Sequence, residues 1–263
     1  MSDNKLKILV GIDDATKCPV IGSIFISGVI ADEKTIRKWK RAGVKDSKLI
    51  AAKKRTQLAE EIKKTALAYS IQELKPNMID DKSLGLNDWE MVVVLNIIQD
   101  LQNKYPDFQD VYIDNWEVSE KRFRQRFTSI TTDFEIKDIL LKYNIQLNAE
   151  KLSSINYIAE HRADEKYTVV GAASILSKTS SDLQYKEYKE IYGDFGSGSP
   201  GDPKTRLFVW EHREDPLPII RTSWNTYKVL SACASIDDDY FYARKKAKLA
   251  TADFENAEKL ENL

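Results

Sequence analysis

The chain has 263 residues, of which 42% are hydrophobic, and its formal net charge is −1. This is enough apolar sequence for a large domain with a core, while no apolar segment approaches the roughly 20 residues that span a bilayer. The N-terminal residues lack an apolar signal segment, and Cys18 and Cys233 have no metal-binding spacing, so we expect a reduced, cytoplasmic protein. Because the net charge is close to zero, any binding of nucleic acid must come from a local basic surface.

The first predicted element is a hairpin whose turn carries two adjacent carboxylates. Leu6–Asp13 and Val20–Ile30 are apolar runs typical of strands, and Asp13 and Asp14 end the first of them. Successive side chains of a strand point to opposite faces, so the two carboxylates cannot both face a core. Charge at the end of a buried strand is costly unless a cation or hydrogen bonds offset it. A solvated acidic turn explains the pair equally well.

A basic segment follows the hairpin. Helices are predicted over Thr35–Gly43 and Ala52–Thr65, and from Lys34 to Arg55 the only acidic residue is Asp46. A charge run of this kind, taken alone, is more typical of a solvated helix face. Beside a carboxylate cluster it is what an enzyme that cleaves a polyanion requires, because phosphate contacts supply much of the affinity.

The next predicted elements repeat the opening pattern. A strand over Ala66–Leu74 and an amphipathic helix over Leu86–Leu101 precede an apolar strand, Asp110–Asn115, which delivers Asp114 near its C-terminal end. In open α/β sheets, sites are built at the carboxyl ends of the strands.

The second half of the chain is predicted to be mainly helical. Ser119–Phe127 is predicted to be a helix capped by Ser119, and Asp133–Ile136 and Ile145–Ala149 are predicted to be strands. A long helix is expected from Glu160 to about Lys189. It would carry Asp164 near its start, where the helix dipole alone also favours a carboxylate.

The C-terminal part contains a glycine-rich loop, Gly193–Thr205, and a helix predicted over Thr226–Leu249. We expect a first domain over residues 1–228 and a helical extension over residues 229–263 that packs on or near it.

Seven motifs in this order resemble the ribonuclease HII family, the type 2 ribonucleases H, and particularly its archaeal-like members. The motifs are Gly11–Ala15 with Pro19–Gly22, Gly43–Leu49, Val111–Asp114, Ala159–Asp164, Ala172–Lys178, Gly193–Gly198 with Asp202–Thr205, and Ile220–Trp224. Each motif alone is weak, but seven in the right order are highly specific. The resemblance covers roughly residues 6–228.

The resemblance implies an α/β ribonuclease-H-like fold, with a central mixed five-stranded sheet flanked by helices and a C-terminal helical extension. It implies that Asp13, Asp14, Asp114 and Asp164 are catalytic and hold two divalent cations, Mg²⁺ or Mn²⁺. Hard cations of this kind prefer oxygen ligands and can support in-line hydrolysis of a phosphodiester. The family cleaves the RNA strand of RNA/DNA hybrids and leaves a 3′-hydroxyl and a 5′-phosphate.

The same resemblance implies a groove for nucleic acid, and we expect the protein to be a monomer. The residues in family motifs that line this groove are Lys45, Ser47, Lys48, Ser174 and Lys178.

The chain departs from the family pattern at three places. Asp14 stands where the family has Glu, Thr16-Lys17-Cys18 replaces Gly-Arg-Gly, and Ser199 replaces a tyrosine that stacks on the sugar at an RNA–DNA junction. The family's glycines let the backbone approach a ribose 2′-hydroxyl closely, which side chains hinder, and lysine lacks the planar fork of arginine. We expect the turn with Thr16, Lys17 and Cys18 and the loop with Ser199 still to contact the substrate. Their recognition of single ribonucleotides should be weakened or altered.

Two alternatives stay open at this point. One is a non-catalytic or weakly active hybrid-binding paralogue that kept the fold. The other is a 3′-to-5′ exonuclease of the same fold, which also uses four carboxylates but has no place for the basic segment and the glycine-rich loop.

Overall fold

The computed structural model describes residues 7–45 and 47–239. The chain divides into two units: residues up to Lys17 with Ser23–Leu183, and Cys18–Gly22 with the residues from Gln184 onward. The boundary expected between residues 228 and 229 stays a prediction.

The first unit is built on one five-stranded sheet, in the order β3-β2-β1-β4-β5. The strands are β1 (Ile8–Ala15), β2 (Ile24–Asp32), β3 (Ala68–Leu74), β4 (Asp110–Asp114) and β5 (Asn156–Glu160). The β1–β2 and β2–β3 pairs are antiparallel, and the β1–β4 and β4–β5 pairs are parallel. The predicted mixed sheet is confirmed.

Parallel pairing of β1, β4 and β5 brings their C-terminal ends to one edge of the sheet. Ile12 lies opposite Ile113, and Asp114 lies opposite Glu160. Asp13 and Asp114, which directly follow the first pair, therefore lie close together by register alone.

Helices flank this sheet. They are α1 (Glu33–Ala42), α2 (Ala52–Thr65), α3 (Pro76–Ile79), α4 (Leu86–Lys104), α5 (Glu120–Thr132), α6 (Phe134–Lys142), α7 (Ala149–Ser153), α8 (Ala163–Lys166) and α9 (Thr168–Tyr192). Helix α4 packs on β2 and β3, and its central residues Trp89–Leu95 are all buried. The last turns of α9 belong to the second unit.

Local sequence explains where several helices begin. The Asp32 side chain accepts a hydrogen bond from the Thr35 amide at 2.7 Å at the start of α1. The predicted cap of α5 is confirmed, since Ser119 Oγ accepts from the Arg122 amide at 3.3 Å.

Three predicted elements are wrong. Asp133–Ile136 is not a strand, because Asp133 accepts from the Glu135 amide at 2.9 Å and caps α6. Ile145–Ala149 is not a strand either, and the fifth strand is β5. Nor does one helix begin at Glu160: that residue ends β5, and the chain then turns through Arg162, whose φ is 59°, into α8.

The second unit contains α10 (Pro203–Glu211) and α11 (Asn225–Ala232) around an apolar cluster that includes Ile21, Phe195 and Ile220. The predicted helix over Thr226–Leu249 is confirmed only up to Ala232, and its residues from 240 onward lie outside the described residues. The segment that follows α11 packs on α10, since Arg206 forms two hydrogen bonds of 2.5 Å to the Asp239 carboxylate.

Among the residues that the structure describes, no helix is both long and apolar enough to cross a membrane.

Strand β1 and helix α9 approach each other closely at Gly11. A Cβ on Gly11 would lie 2.3 Å from the backbone carbonyl carbon of Val169, and backbone cannot move aside as a flexible side chain can. We expect Gly11→Ala to lower the free energy of unfolding by about 1–3 kcal/mol or more, as overpacking does. Urea unfolding measures this.

Gly201→Ala is the control, since no atom lies within 4 Å of a Cβ at that position. Equal stability of the two variants would contradict the close approach of β1 and α9.

Candidate active site

Four carboxylates gather at the C-terminal edge of the central strands. Asp13 and Asp14 lie at the end of β1, Asp114 ends β4, and Asp164 lies in the first turn of α8. Asp13 and Asp164 are buried, with 6% and 8% exposure, and Asp14 and Asp114 are half-buried. The structure thus brings together all four residues that the sequence predicted to be catalytic.

Backbone hydrogen bonds fix the positions of these carboxylates. Asp13 Oδ1 accepts from the Asp14 amide, and Asp114 Oδ1 accepts from the Ala163 amide, both at 2.8 Å. The second bond joins the end of β4 to the residue before Asp164. Ser177 of α9 donates to the Asp13 carbonyl oxygen at 3.0 Å, which ties β1 to α9.

Burial and mutual repulsion raise the pKa of Asp13, Asp14 and Asp114. Burial raises the pKa of Asp13 well above its usual range, the charges of Asp14, Asp114 and Asp164 raise it further, and a hydrogen bond from Ser174 opposes them. Ionised carboxylates here are costly, and a nearby cation would offset that cost.

The pKa values of Asp14 and Asp114 are also raised, in each case mainly by burial. The charges of Lys17 and Lys48 partly lower the pKa of Asp14, whereas Asp164 raises it. For Asp114, the Ala163 amide and the Lys48 charge lower the pKa and the Asp14 charge raises it. Lys48 is therefore close enough to act on two of the four carboxylates.

The donor set fits a hard divalent cation, because every candidate ligand atom is a carboxylate oxygen. Within residues 7–45 and 47–239, however, no three His, Cys, Asp or Glu side chains already form a complete ligand group.

The residues predicted to line the groove differ in their exposure to solvent. Lys45 and Lys48 are exposed. Ser47 and Ser174 are buried, each with 3% exposure, and their hydroxyl oxygens are hydrogen-bonded at 2.9 Å. Lys178 is half-buried and forms an ion pair of 2.5 Å with Asp182.

The turn formed by Thr16, Lys17 and Cys18 has an unusual backbone. Thr16 has a φ of 68°, which a β-branched residue rarely adopts. Its hydroxyl donates to the Ser23 carbonyl oxygen at 2.7 Å. Lys17 lies next to α4, with its ammonium 2.5 Å from Glu90 Oε2. Thr16 thus keeps a backbone conformation that favours glycine.

Cys18 and Ser199 belong to the second unit, and both are exposed. The Cys18 carbonyl oxygen accepts from Trp224 Nε1 at 3.2 Å. Ser199 lies in the glycine-rich loop, where its carbonyl oxygen accepts from the Asp202 amide at 3.0 Å.

Sequence reasoning missed Glu90 and Ser177. Ser177 lies within a predicted family motif, but the bond that it makes to the Asp13 backbone depends on tertiary packing. Glu90 did leave a signal, since it is a charged residue directly before the apolar run Met91–Leu95 of a predicted helix.

The mixed sheet with acidic residues at its strand ends defines a protein of the ribonuclease-H-like class. A profile of the family described as Ribonuclease HII matches residues 10–227. The chain belongs to the Ribonuclease HII family.

Individual relatives agree with this assignment. Ribonuclease HII of Thermococcus sibiricus is 40% identical over 224 residues, which cover 84% of this chain and 89% of the relative. Ribonuclease HII of Methanosarcina mazei is 38% identical over 226 residues, covering 83% and 94% of the two chains.

Solved structures show the same fold. Ribonuclease H2 of Pyrococcus horikoshii OT3 has a TM-score of 0.66 at 31% identity, covering 85% of this chain and 97% of that one. RNase HII in the PCNA:RNase HII complex of Archaeoglobus fulgidus has a TM-score of 0.66 at 31% identity, covering 88% and 100%. Bst-RNase HIII, at 14% identity and a TM-score of 0.66, supports the fold alone, covering 86% of this chain and 70% of that one.

The raised pKa of Asp13 predicts the pH dependence of stability in metal-free protein. A carboxyl whose pKa is higher in the folded state stabilises the fold below its unfolded pKa of about 3.9, and that stability is lost as pH rises through the folded value. Asp13→Asn removes the charge and keeps an oxygen for the Asp14 amide. We expect its melting temperature at pH 7 in EDTA to exceed that of the wild type, by about 2–4 °C per kcal/mol of repulsion relieved.

Thermal melts with and without Mg²⁺ check this, and we expect Mg²⁺ to stabilise the wild type more than the variant. Asp138→Asn, which removes an exposed carboxylate on α6, is the control. A lower melting temperature for Asp13→Asn in EDTA would show that repulsion at Asp13 does not limit stability.

Proposed function

We propose that this chain is a divalent-metal-dependent endonuclease that hydrolyses the RNA strand of RNA/DNA hybrids and leaves a 3′-hydroxyl and a 5′-phosphate. The observation that carries the proposal is the cluster of Asp13, Asp14, Asp114 and Asp164 at one edge of the sheet, in a chain of the Ribonuclease HII family. Endonucleolytic hydrolysis of this kind is the reaction of the Ribonuclease HII family. The use of two Mg²⁺ or Mn²⁺ ions by these four residues is our inference from the donor chemistry.

In this proposal the four carboxylates hold the cations, which supply an activated water and stabilise the leaving oxygen when bound. The chain's own contribution is to hold the ligands. Ser177 fixes the backbone of Asp13, and the Ala163 amide orients the Asp114 carboxylate. Lys48, whose charge acts on Asp14 and Asp114, would also attract a substrate phosphate to this edge.

The basic segment supports a polyanionic substrate. Between Lys34 and Arg55, the exposed cations of α1 and α2 are Lys34, Arg37, Lys38, Lys40, Arg41, Lys53 and Lys54. Together with Lys45, Lys48 and Lys178 they would supply phosphate contacts that do not depend on sequence. The buried Ser47–Ser174 hydrogen bond joins the Lys48 segment to α9, so we assign these two serines to positioning the binding surface.

Hydrolysis of a labelled RNA/DNA hybrid tests the proposed activity. We expect cleavage with Mg²⁺ or Mn²⁺, and we expect Asp114→Asn to lower the rate by more than about 100-fold, since even outer partners of metal ligands are worth about 10–100-fold. Asp110→Asn, at the other end of β4, is the matched control and should cleave as the wild type does.

Retained hybrid binding without cleavage by either metal would instead identify a non-catalytic hybrid-binding protein. Equal loss of activity in the Asp110 and Asp114 variants would point to damage to the strand and not to the carboxylate cluster.

We further propose that recognition of a single ribonucleotide is weakened. The family's glycine at position 16 would leave the backbone bare, whereas Thr16 places a side chain there and commits its hydroxyl to Ser23. Ser199 offers no aromatic ring to stack on a sugar. Both replacements remove features that meet the sugar at an RNA–DNA junction.

A comparison of two substrates tests this specificity. We expect an all-RNA/DNA hybrid to be cleaved at least about tenfold faster than a duplex with one embedded ribonucleotide, which corresponds to about 1.4 kcal/mol. In the double variant Thr16→Gly/Ser199→Tyr, the ratio of these two cleavage rates should move closer to one. Faster incision at the single ribonucleotide by the wild type would contradict the proposal.

A further inference from the structure

Helix α4 carries a buried carboxylate next to the replaced turn. Glu90 is 1% exposed, and its Oε2 lies 2.5 Å from Lys17 Nζ. The Lys17 side chain is 29% exposed, so the ion pair joins a buried anion to a partly exposed side chain. A buried carboxylate without a cation strongly destabilises a fold, so Glu90 holds this lysine firmly.

Lys17 has further contacts around that carboxylate. Its Nζ donates to Asn87 Oδ1 at 3.3 Å and lies 5.7 Å from the centre of the Trp116 ring, close enough for a cation–π interaction. Trp116 follows Asp114 by two residues, so the ammonium touches both the first turn of α4 and the loop after β4.

The network continues to a second buried carboxylate in that loop. Asn87 Nδ2 donates to Glu117 Oε1 at 3.1 Å, and Arg126 Nε donates to the same oxygen at 2.7 Å. Arg126 also pairs with Asp88. One set of charges on α4 and α5 therefore joins the turn after Asp14 to the loop after Asp114.

We propose that Glu90 is a specificity-determining positioning residue, which holds the Lys17 ammonium on α4 and so keeps it from neutralising a substrate phosphate. For Lys17 to bind a phosphate, it would have to leave Glu90 charged and buried, a larger loss than one exposed phosphate contact gains. The replaced turn then lacks the phosphate contact that its positive charge suggests. This revises the expectation that Lys17 binds substrate, and it rests on the proposed function.

The salt dependence of hybrid binding tests the proposal. Each phosphate that a protein neutralises adds about 0.9 to the slope of log Kd against log salt concentration. Binding of a labelled RNA/DNA hybrid is measured in EDTA for the wild type, Glu90→Gln and the double variant Lys17→Met/Glu90→Gln. Thermal melts of each variant report folding.

We expect the wild type and the double variant to have equal slopes. Glu90→Gln alone should be steeper by about 0.9, since its lysine becomes available to a phosphate. In cleavage assays at low salt, Glu90→Gln should lower KM for the hybrid, and the added Lys17→Met should reverse that change. A purely structural role for Glu90 would give no such reversal.

Asp100→Asn is the matched control. It releases Lys104 from an ion pair of 2.7 Å on the same helix with the same change in charge, about 15 Å from Glu90 at 1.5 Å per residue. Its slope should equal that of the wild type.

A wild-type slope that exceeds the slope of the double variant by about 0.9 would show that Lys17 already neutralises a phosphate, and it would overturn the inference. This comparison does not require Glu90→Gln alone to fold. Absence of hybrid binding by the folded wild type would instead overturn the proposed function, and the inference with it.

Discussion

Repulsion between buried carboxylates is the constraint on which the first unit depends. Asp13 and Asp164 are both less than a tenth exposed, and the fold holds them beside Asp14 and Asp114. Such an arrangement opposes folding unless rigid neighbours hold it and a cation offsets it. The rigidity comes from paired strands, from the Ala163 amide, and from α9, whose backbone approaches Gly11 of β1 too closely for any side chain.

The gathering of Asp13 and Asp114 was largely predictable, because the apolar periodicity that predicts a strand can be read from neighbouring residues. The apolar runs that end in Asp13 and Asp114 predicted strands, and parallel pairing then brings their ends together without further information. The missed elements show where this logic stops. Asp133–Ile136 alternates polar and apolar residues like a strand, yet Asp133 caps a helix. Strand β5 is short, with an apolar run of only Tyr157–Ala159, so pairing with β4 decides its conformation.

Residues that serve the site through another residue were not predictable in the same way. Ser177 reaches the Asp13 carbonyl oxygen across 164 positions of sequence, and nothing in the sequence near either residue specifies that contact. Glu90 is a partial exception. A carboxylate that directly precedes the buried run of α4 needs a cationic partner, and the sequence alone indicates that need. Only the fold identifies the partner as Lys17.

The turn with Thr16 and Lys17 is therefore tied to the fold at two separate points. The strained backbone at Thr16 is offset by the bond of its hydroxyl to Ser23, and the charge of Lys17 is matched by Glu90. Ser23 lies just before β2 and Glu90 lies on α4, so a glycine at position 16 would relieve strain without releasing the lysine. An arginine at position 17 would still face the buried Glu90 carboxylate, which binds a guanidinium as readily as an ammonium. In the role proposed for Glu90, phosphate contact from this turn thus depends on α4 as much as on the turn itself.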